Sequence, residues 1–259
     1  MIPERVRRAI ERISRNVALR RRLPARFGGA MLSVSPGAAL CYYGRLDGPV
    51  WQQLYDFAVN CVPRGATAWD IGASMGVFGF AAAHCAGSTG HVLAVEADTW
   101  AVQFLKQSAG TPRADAAPVQ VLCAAIAGKI GVQDFTIPKR GRAGSHLAQS
   151  PGAGGPLLGG IREIHPTMTV TLDWLAENFA PPAAIKLDIE GAELAALEGA
   201  SQVLGVHRPA LFVEVAERNA AAVTRLLRGH CYALFDSSPG WAQRSPVDRA
   251  VYNTLALPR

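Results

Sequence analysis

The sequence predicts an α/β fold, a three-layer α-β-α sandwich with a mostly parallel sheet of seven strands and an antiparallel C-terminal hairpin. From residue 66 onward, nearly continuous apolar runs alternate with segments of helical periodicity, which is typical of a parallel sheet covered on both faces. Near the C-terminus this alternation stops. Two strand-like runs at 231–236 and 250–257 are joined there by a turn-rich loop alone, which favours antiparallel pairing.

The individual elements follow from the apolar pattern in chain order. The stretch 31–45 contains strand-like pieces, and 50–62 has the pattern of a helix. The five expected parallel strands are 67–71, 91–96, 119–124, 182–188 and 210–215. The helices expected between them are 77–85, 100–107 and 192–204. In such a sheet the carboxyl ends of the strands form the edge at which ligands bind.

Composition divides the 259 residues into two parts. Residues 1–49 are predicted to form a basic N-terminal helix and cap segment, and residues 50–259 the main domain, which is long enough to bury a sizeable core. Within the main domain, 139–166 is rich in Gly, Ser and Pro. A long irregular stretch of this kind is either a surface insert or a lid over the substrate.

The net charge of +6 resides in the first 22 residues, which hold eight arginines and two glutamates. The remainder is close to neutral, so no nucleic-acid partner is expected. Apolar residues at helical spacing between the arginines predict an amphipathic helix over 4–22. This helix either packs on the main domain as a cap or makes peripheral contact with a membrane or an acidic partner.

The cysteines and the apolar runs bear on location. Five scattered cysteines without C-x-x-C spacing indicate reduced thiols. The sequence has no apolar run near the roughly 20 residues that a membrane span needs, and no apolar segment of a secretory signal. A cytoplasmic protein is therefore expected.

The segment 66–83, ATAWDIGASMGVFGFAAA, is the motif around which the chain is organised. An apolar strand ends in Asp70, a turn with Gly72 and Gly76 follows, and a helix begins. Glycine lets a ligand approach the backbone closely, and this strand–turn–helix arrangement holds nucleotide-like ligands. The spacing D-x-G-x-x-x-G differs from the G-x-G-x-x-G of dinucleotide sites, which favours S-adenosylmethionine over NAD.

A second acidic position supports a nucleoside ligand. Glu96 ends the second predicted strand, about two dozen residues after the glycine turn, where an acid can accept both hydroxyls of an adenosine ribose. The alternative role, capping the next helix, suits Asp98 better. Glu96 is therefore predicted to bind the ribose.

Further carboxylates should gather at the same edge of the sheet. In IKLDIEGAEL, residues 185–194, Asp188 ends the fourth strand and Glu190 and Glu193 follow, while Glu214 lies near the end of the fifth. Crowded carboxylates have raised pKa values, which suits a general base, and their charge suits a sulfonium. Glu193 is better explained as a first-turn acid. Asp188 is better explained by function, because a charge that ends an apolar strand is costly unless it is used.

These stretches together resemble FkbM-type methyltransferases, which are S-adenosylmethionine-dependent enzymes of the class I, Rossmann-like fold. The resemblance covers about residues 50–215, and the combination of DIGA, TLDWL and IKLDIEGAE is its most specific part. The other matching segments are HVLAVEAD, VLCAAIAGKIGVQDFTI and RPALFVEV.

The resemblance implies particular site residues. Asp188 and Glu190 would border the methyl-transfer crevice as catalytic candidates. Where the family often has Asn and Pro, this chain has Ser74 and Ala97, and both are kept as cofactor-binding candidates. The full set of cofactor-binding candidates is Asp70, Gly72, Ala73, Ser74, Gly76, Glu96 and Ala97.

The hypothesis is methyl transfer from S-adenosylmethionine to a hydroxyl of a small molecule or sugar, with Asp188 or Glu190 as the base. His91 and His165 are weaker candidates. No metal is expected, because a hard cation needs more oxygen ligands than the sequence places near Asp188. Two alternatives stay open, a non-catalytic S-adenosylmethionine-binding protein and an NAD-dependent oxidoreductase. The oligomeric state is not predicted.

Overall fold

A computed structural model describes residues 13–14, 17–111, 113–139, 141–148 and 160–259. The helices are α1 Gln52–Cys61, α2 Val77–Ala86, α3 Thr99–Ala109, α4 Leu172–Asn178, α5 Glu193–Glu198 and α6 Ala220–Gly229. The strands are β1 Leu19–Arg22, β2 Met31–Val34, β3 Thr67–Ile71, β4 His91–Glu96, β5 Val119–Cys123, β6 Ala125–Ile126, β7 Gly131–Pro138, β8 His146–Leu147, β9 Ile161–Val170, β10 Ala184–Leu187, β11 Ala210–Glu214, β12 Tyr232–Asp236, β13 Ser245–Pro246 and β14 Asn253–Pro258.

The central sheet has the order β13-β12-β14-β11-β10-β3-β4-β5. Strands β11, β10, β3, β4 and β5 are parallel, while β14 lies between β11 and β12 and is antiparallel to both. The predicted α/β class and largely parallel sheet are confirmed. Within the described residues the sheet has eight strands instead of the predicted seven, because the segment before β14 adds the two-residue strand β13 at the edge.

Alternation along the strands builds a layer on each face of the sheet. Trp69 and Ile71 of β3 pack into one buried cluster with residues of α4–α6, whereas Ala68 packs into the other with residues of α1–α3. Phe57 and Phe78 stack in the second cluster with ring centroids 5.4 Å apart. Because the five central strands are parallel, their carboxyl ends all lie at one edge of the sheet, between these two layers.

The prediction of a helix over 4–22 is wrong at its C-terminal end. Residues 19–22 form β1, which pairs antiparallel with β2. Leu32 and Val34 of β2 are fully buried, and β1 adopts the same two-residue alternation so that its backbone pairs along the whole of β2. The rest of the predicted helix lies mostly outside the described residues, which include only 13–14 and 17–18 of it.

The predicted irregular stretch 139–166 is also partly ordered as a strand. Residues 161–166 belong to β9, which pairs with β7 in a second sheet of order β6-β9-β7-β8. Proline and charged residues in IREIHPTMTV mask its alternation in the sequence. Residues 140 and 149–159 of this stretch lie outside the described part of the chain.

Two further observations concern the cysteines and the helices. The five cysteines are free thiols. No helix among the described residues is long and apolar enough to cross a membrane.

Asp173 in the LDWL segment joins two helical segments. The helix predicted over 192–204 is interrupted after α5, and its continuation starts again at 201. The carboxylate of Asp173 accepts hydrogen bonds there from Ser201 Oγ, Gln202 N and Val203 N at 3.0, 3.1 and 2.9 Å. Asp173 therefore serves as an N-terminal cap from a distant part of the chain.

Replacing this cap is expected to destabilise the fold without changing ligand binding. Asp173→Ala should lower the free energy of unfolding by about 1–3 kcal/mol, because three donors lose a charged acceptor. Urea unfolding measures the loss. Asp248→Ala is the control, since its partner Arg228 is exposed and such pairs contribute at most about 1 kcal/mol. Equal losses in the two variants would contradict the capping role.

Candidate functional site

The glycine turn after β3 packs tightly against the end of β10. The N–H groups of Gly72 and Ala73 both donate to the carbonyl oxygen of Val95, at 2.9 and 3.0 Å. Gly72 and Gly76 have φ angles of +72° and +82°. A Cβ atom on Gly72 would overlap the carbonyl oxygen of Asp188. Glycine is therefore required at position 72 by both its backbone angle and its contact.

The buried side chain of Asp70 stabilises the start of this turn. Its Oδ2 accepts a hydrogen bond from the N–H of Gly79 in α2 at 2.9 Å. Burial raises the pKa of Asp70, while Lys186 opposes the shift. The Nζ of Lys186 lies 3.6 Å from Oδ1 of Asp70. The carboxylate thus connects the end of β3 to the first turns of α2.

Lys186 is a site residue that the sequence analysis missed. Its Nζ donates to the carbonyl oxygen of Gly72 at 2.6 Å and lies 3.3 Å from Oδ2 of Asp188. Burial alone would lower the pKa of Lys186, but Asp188 and Asp70 raise it above the ordinary value. The lysine is therefore charged and ties the glycine turn to Asp188. A lysine inside the apolar strand IKL was the available signal.

Glu96 bridges the glycine turn and the start of α3. Its Oε2 accepts from the N–H of Ser74 at 2.7 Å, and its Oε1 accepts from the N–H of Asp98 at 2.8 Å. Burial raises the pKa of Glu96, against the effect of these two hydrogen bonds. Each carboxylate oxygen has capacity for a further hydrogen bond. Asp98 caps α3 by accepting from Trp100 N at 3.0 Å, which confirms its predicted role.

A cavity of about 290 Å³ joins these groups to the carboxylates at the end of β10 and β11. It is bordered at one end by apolar and aromatic side chains and at the other by acids. Six of the predicted site residues line it, namely Gly72, Ser74, Glu96, Ala97, Asp188 and Glu190. It is also lined by residues that the sequence did not single out for the site, namely Trp100, Phe135, Arg142, Ser145, Leu147 and Tyr252.

The other three predicted residues lie around the turn. Asp70 and Ala73 line a second cavity of about 170 Å³, to which Tyr42 and Trp51 also contribute. Gly76 is the N-cap of α2, and its N–H donates to the carbonyl oxygen of Ala73 at 2.7 Å. The turn thus separates the two cavities.

Three carboxylates converge at the acidic end of the larger cavity. Oxygen atoms of Asp188, Glu190 and Glu214 lie within 4.8 Å of one another, a group that could hold a cation. Asp188 is 32% exposed and has the Lys186 ammonium beside it. Glu193 is buried instead, and its Oε1 accepts from the N–H groups of Ile189 and Gly191 at 3.1 and 3.0 Å.

Two of these acids bind protons unusually strongly. Burial, followed by the charges of Asp188 and Glu214, raises the pKa of Glu190 to about 8. Burial and Asp188 raise the pKa of Glu214 to about 7, although its hydrogen bond from the Tyr252 hydroxyl acts in the opposite direction. Glu190 and Glu214 are therefore partly protonated near neutral pH, and their titrations influence each other.

The raised pKa of Glu190 predicts a stability that falls with pH. The folded chain binds this proton more strongly than the unfolded chain, so stability is lost as the pH rises from the ordinary value of 4.5 to about 8. Glu190→Gln should flatten this part of the pH profile, measured by urea unfolding. Glu217→Gln, at an exposed pair with Arg249, should keep the wild-type slope. A wild-type slope in Glu190→Gln would contradict the assignment.

Comparison with known proteins identifies the family. The family model described as the methyltransferase FkbM domain matches residues 70–234, more than half of the chain. The chain belongs to the FkbM methyltransferase family. Its cofactor is S-adenosylmethionine. The matched residues include the glycine turn, Glu96 and the three converging carboxylates.

Two solved structures are similar to this chain, and the first of them supports the fold. A methyltransferase FkbM from Methylobacillus flagellatus KT is 16% identical with a TM-score of 0.50, and the match covers 82% of this chain and 50% of that one. The chain thus spans half the length of that protein. A precorrin-6y C5,15-methyltransferase from Geobacter metallireducens GS-15 is 13% identical, with a TM-score of 0.42 and coverages of 80% and 87%. A search of curated proteins returned no match.

Proposed function

We propose that this chain transfers a methyl group from S-adenosylmethionine to a hydroxyl oxygen of a small molecule or sugar. The observation that carries the proposal is the continuity of one cavity between Glu96 and the acids Asp188, Glu190 and Glu214. A nucleoside-binding carboxylate and proton-accepting carboxylates therefore face a common space. Such an arrangement suits a cofactor at one end and a hydroxylated acceptor at the other.

The residues at the Glu96 end fit an adenosine. The carboxylate of Glu96 is held by two backbone N–H groups and retains lone pairs for the two ribose hydroxyls. Beyond it, Trp100, Phe135 and Leu147 provide apolar walls for a base. Gly72 and Ser74 line the same space, and Ala97 lies next to Glu96. This arrangement supports cofactor-binding roles for the four predicted residues that line this part of the cavity.

The residues at the acidic end fit the proton transfer that an alcohol acceptor requires. S-adenosylmethionine supplies a reactive methyl group, so the protein chiefly aligns the acceptor and removes its proton. Asp188 is partly exposed to the cavity and fixed by Lys186. Glu190, with a pKa of about 8, is mostly protonated at pH 7 and becomes an ionised, proton-accepting carboxylate as the pH rises towards 8. Either carboxylate is suited to be the base, and the Tyr252 hydroxyl is placed to orient the acceptor.

The test is turnover on a panel of hydroxylated acceptors. The purified chain is incubated with S-adenosylmethionine and sugars, phenols, hydroxylated lipids or peptides, and S-adenosylhomocysteine formation is followed with mass spectrometry of the acceptor. We expect one methyl group on an oxygen of a small molecule or sugar. Methylation of nitrogen or carbon would overturn the proposed acceptor chemistry. Cofactor binding without turnover on every class would favour the non-catalytic alternative.

Metal dependence is a separate prediction. Although Asp188, Glu190 and Glu214 could hold a cation, Lys186 already places a positive charge 3.3 Å from Asp188. We therefore expect turnover to survive treatment with EDTA, measured as the rate of S-adenosylhomocysteine formation. A loss that Mg²⁺ or Mn²⁺ restores would contradict this prediction and assign the three acids to a metal.

The location and the partners are also proposed. Free cysteines support a cytoplasmic location. The arginine-rich N-terminal segment suits peripheral contact with an anionic membrane or an acidic partner, whereas the near-neutral remainder does not suit nucleic acid. Sedimentation with vesicles that contain phosphatidylserine, compared with neutral vesicles, tests the membrane contact.

A further inference from the structure

Arg142 lies between β7 and β8 and lines the cavity at the end beyond Glu96. Its Nη1 donates to Oδ2 of Asp98 at 2.6 Å, and its Nη2 donates to Oε1 of Glu163 at 2.9 Å. The guanidinium carbon lies 4.8 Å from the centroid of the Trp100 ring. One side chain therefore connects the start of α3 to β9 and covers an aromatic wall of the cavity.

These contacts continue to the ribose-binding candidate. Asp98, whose side chain is 5% exposed, accepts from Arg142 through Oδ2 and from Trp100 N through Oδ1. The N–H of Asp98 in turn donates to Oε1 of Glu96. Arg142 is itself only 13% exposed, so its ion pair with Asp98 is well shielded from water and is a strong constraint. Arg142, Asp98 and Glu96 thus form a continuous chain of contacts.

We propose that Arg142 is a positioning residue for the adenosine end of the cofactor. It acts through Asp98 and Trp100 and keeps Glu96 in place to accept the ribose hydroxyls. The inference rests on the proposed placement of S-adenosylmethionine in this cavity. Arginine suits the role because its planar group reaches two carboxylates and stacks on an indole at the same time, which lysine cannot do.

The stretch 141–148, which contains Arg142, forms part of the cavity lining. This stretch also contributes Ser145 and Leu147 to the cavity, and Leu147 of β8 is paired with Phe135 of β7. Strands β7 and β8 of the second sheet therefore form part of the cavity wall. The hydrogen bonds of Arg142 to Asp98 and Glu163 attach this wall to the start of α3.

A purely structural role would reduce stability without a preference for one end of the ligand. A positioning role predicts that Arg142→Ala lowers the affinity for adenosine and for S-adenosylhomocysteine by the same factor. Both ligands contain the adenosine moiety, whose binding site Arg142 organises. We expect dissociation constants raised by about 10- to 100-fold for both probes. Arg142→Lys should recover part of the affinity through its retained charge. The affinities should not follow the melting temperatures of the variants.

The experiment is a set of calorimetric titrations with S-adenosylhomocysteine and with adenosine, accompanied by a melting temperature for each variant. Arg228→Ala is the matched control, since its partner Asp248 is on the surface and away from the cavity lining, and its affinities should equal those of the wild type. Unchanged affinities in folded Arg142→Ala would overturn the inference. A loss for S-adenosylhomocysteine but not for adenosine would also overturn it.

Two further results keep the test decisive. If Arg142→Ala does not fold, Arg142→Lys replaces it, and wild-type affinities for both probes in that variant would overturn the inference. If the wild type binds neither probe, the proposed cofactor site fails before the question about Arg142 arises. The failure of the inference is thereby distinguished from the failure of the proposed function.

Discussion

Gly72→Ala is expected to abolish detectable binding of S-adenosylhomocysteine and to destabilise the chain. The added Cβ atom would overlap the carbonyl oxygen of Asp188, which belongs to the backbone and cannot move aside as a side chain would. A φ of +72° adds about 1–2 kcal/mol of strain for any residue other than glycine. The turn must shift, and with it the hydrogen bonds of Ser74 N to Glu96 and of Lys186 to the Gly72 carbonyl. Calorimetric titration and urea unfolding measure the two effects.

Gly65→Ala is the matched control for this prediction. Gly65 has a similar φ of +76°, but the nearest atom to an added Cβ is Thr89 Oγ1 at an ordinary 3.5 Å. This variant should therefore lose about 1–2 kcal/mol of stability from strain alone and keep its ligand affinity. If both variants bind like the wild type, the turn does not contribute to the cofactor site.

Asp188→Asn is expected to retain cofactor binding and to lose turnover by about 100- to 10,000-fold. Asparagine preserves the shape of the side chain but cannot accept a proton from the acceptor hydroxyl. The Nζ of Lys186 keeps Asp70 and the Gly72 carbonyl as partners, so the turn should stay in place. The measurements are the affinity for S-adenosylhomocysteine and the rate on the accepted substrate.

Glu217→Gln is the control for Asp188→Asn. It removes an equal charge at an exposed pair with Arg249, where no effect on either quantity is expected. Turnover of Asp188→Asn at the wild-type rate would show that Asp188 is not the base. Glu190→Gln would then be the next variant, because Glu190 is the other candidate base and also lines the cavity.

The fold was predictable where a local pattern was long and uniform. Strands β3 and β4 match the expected 67–71 and 91–96 because nearly continuous apolar runs with sharp ends leave little choice of boundary. Residues 19–22 and 161–166 were not predicted as strands. The first is only four residues long, and the second contains Pro166 and charged residues that hide its alternation.

The site was predictable where residues are close in sequence to a strand end. Glu96, Asp98 and Asp188 follow this rule. The role of Lys186 follows from the order of the strands in the sheet. Strand β10 pairs directly with β3, and this pairing places Lys186 opposite Asp70. Arg142 lies 44 residues from Asp98 in the sequence, and no local pattern indicates that the two side chains form an ion pair.

The central claim is that the cavity lined by the glycine turn and Glu96 binds S-adenosylmethionine. Calorimetric titration of the folded wild-type chain with S-adenosylmethionine, with Glu96→Ala titrated in parallel, tests it most directly. We predict heat that saturates at one cofactor per chain in the wild type and a strongly weakened isotherm in Glu96→Ala. The absence of heat in the wild type, or equal binding by both chains, would contradict the account.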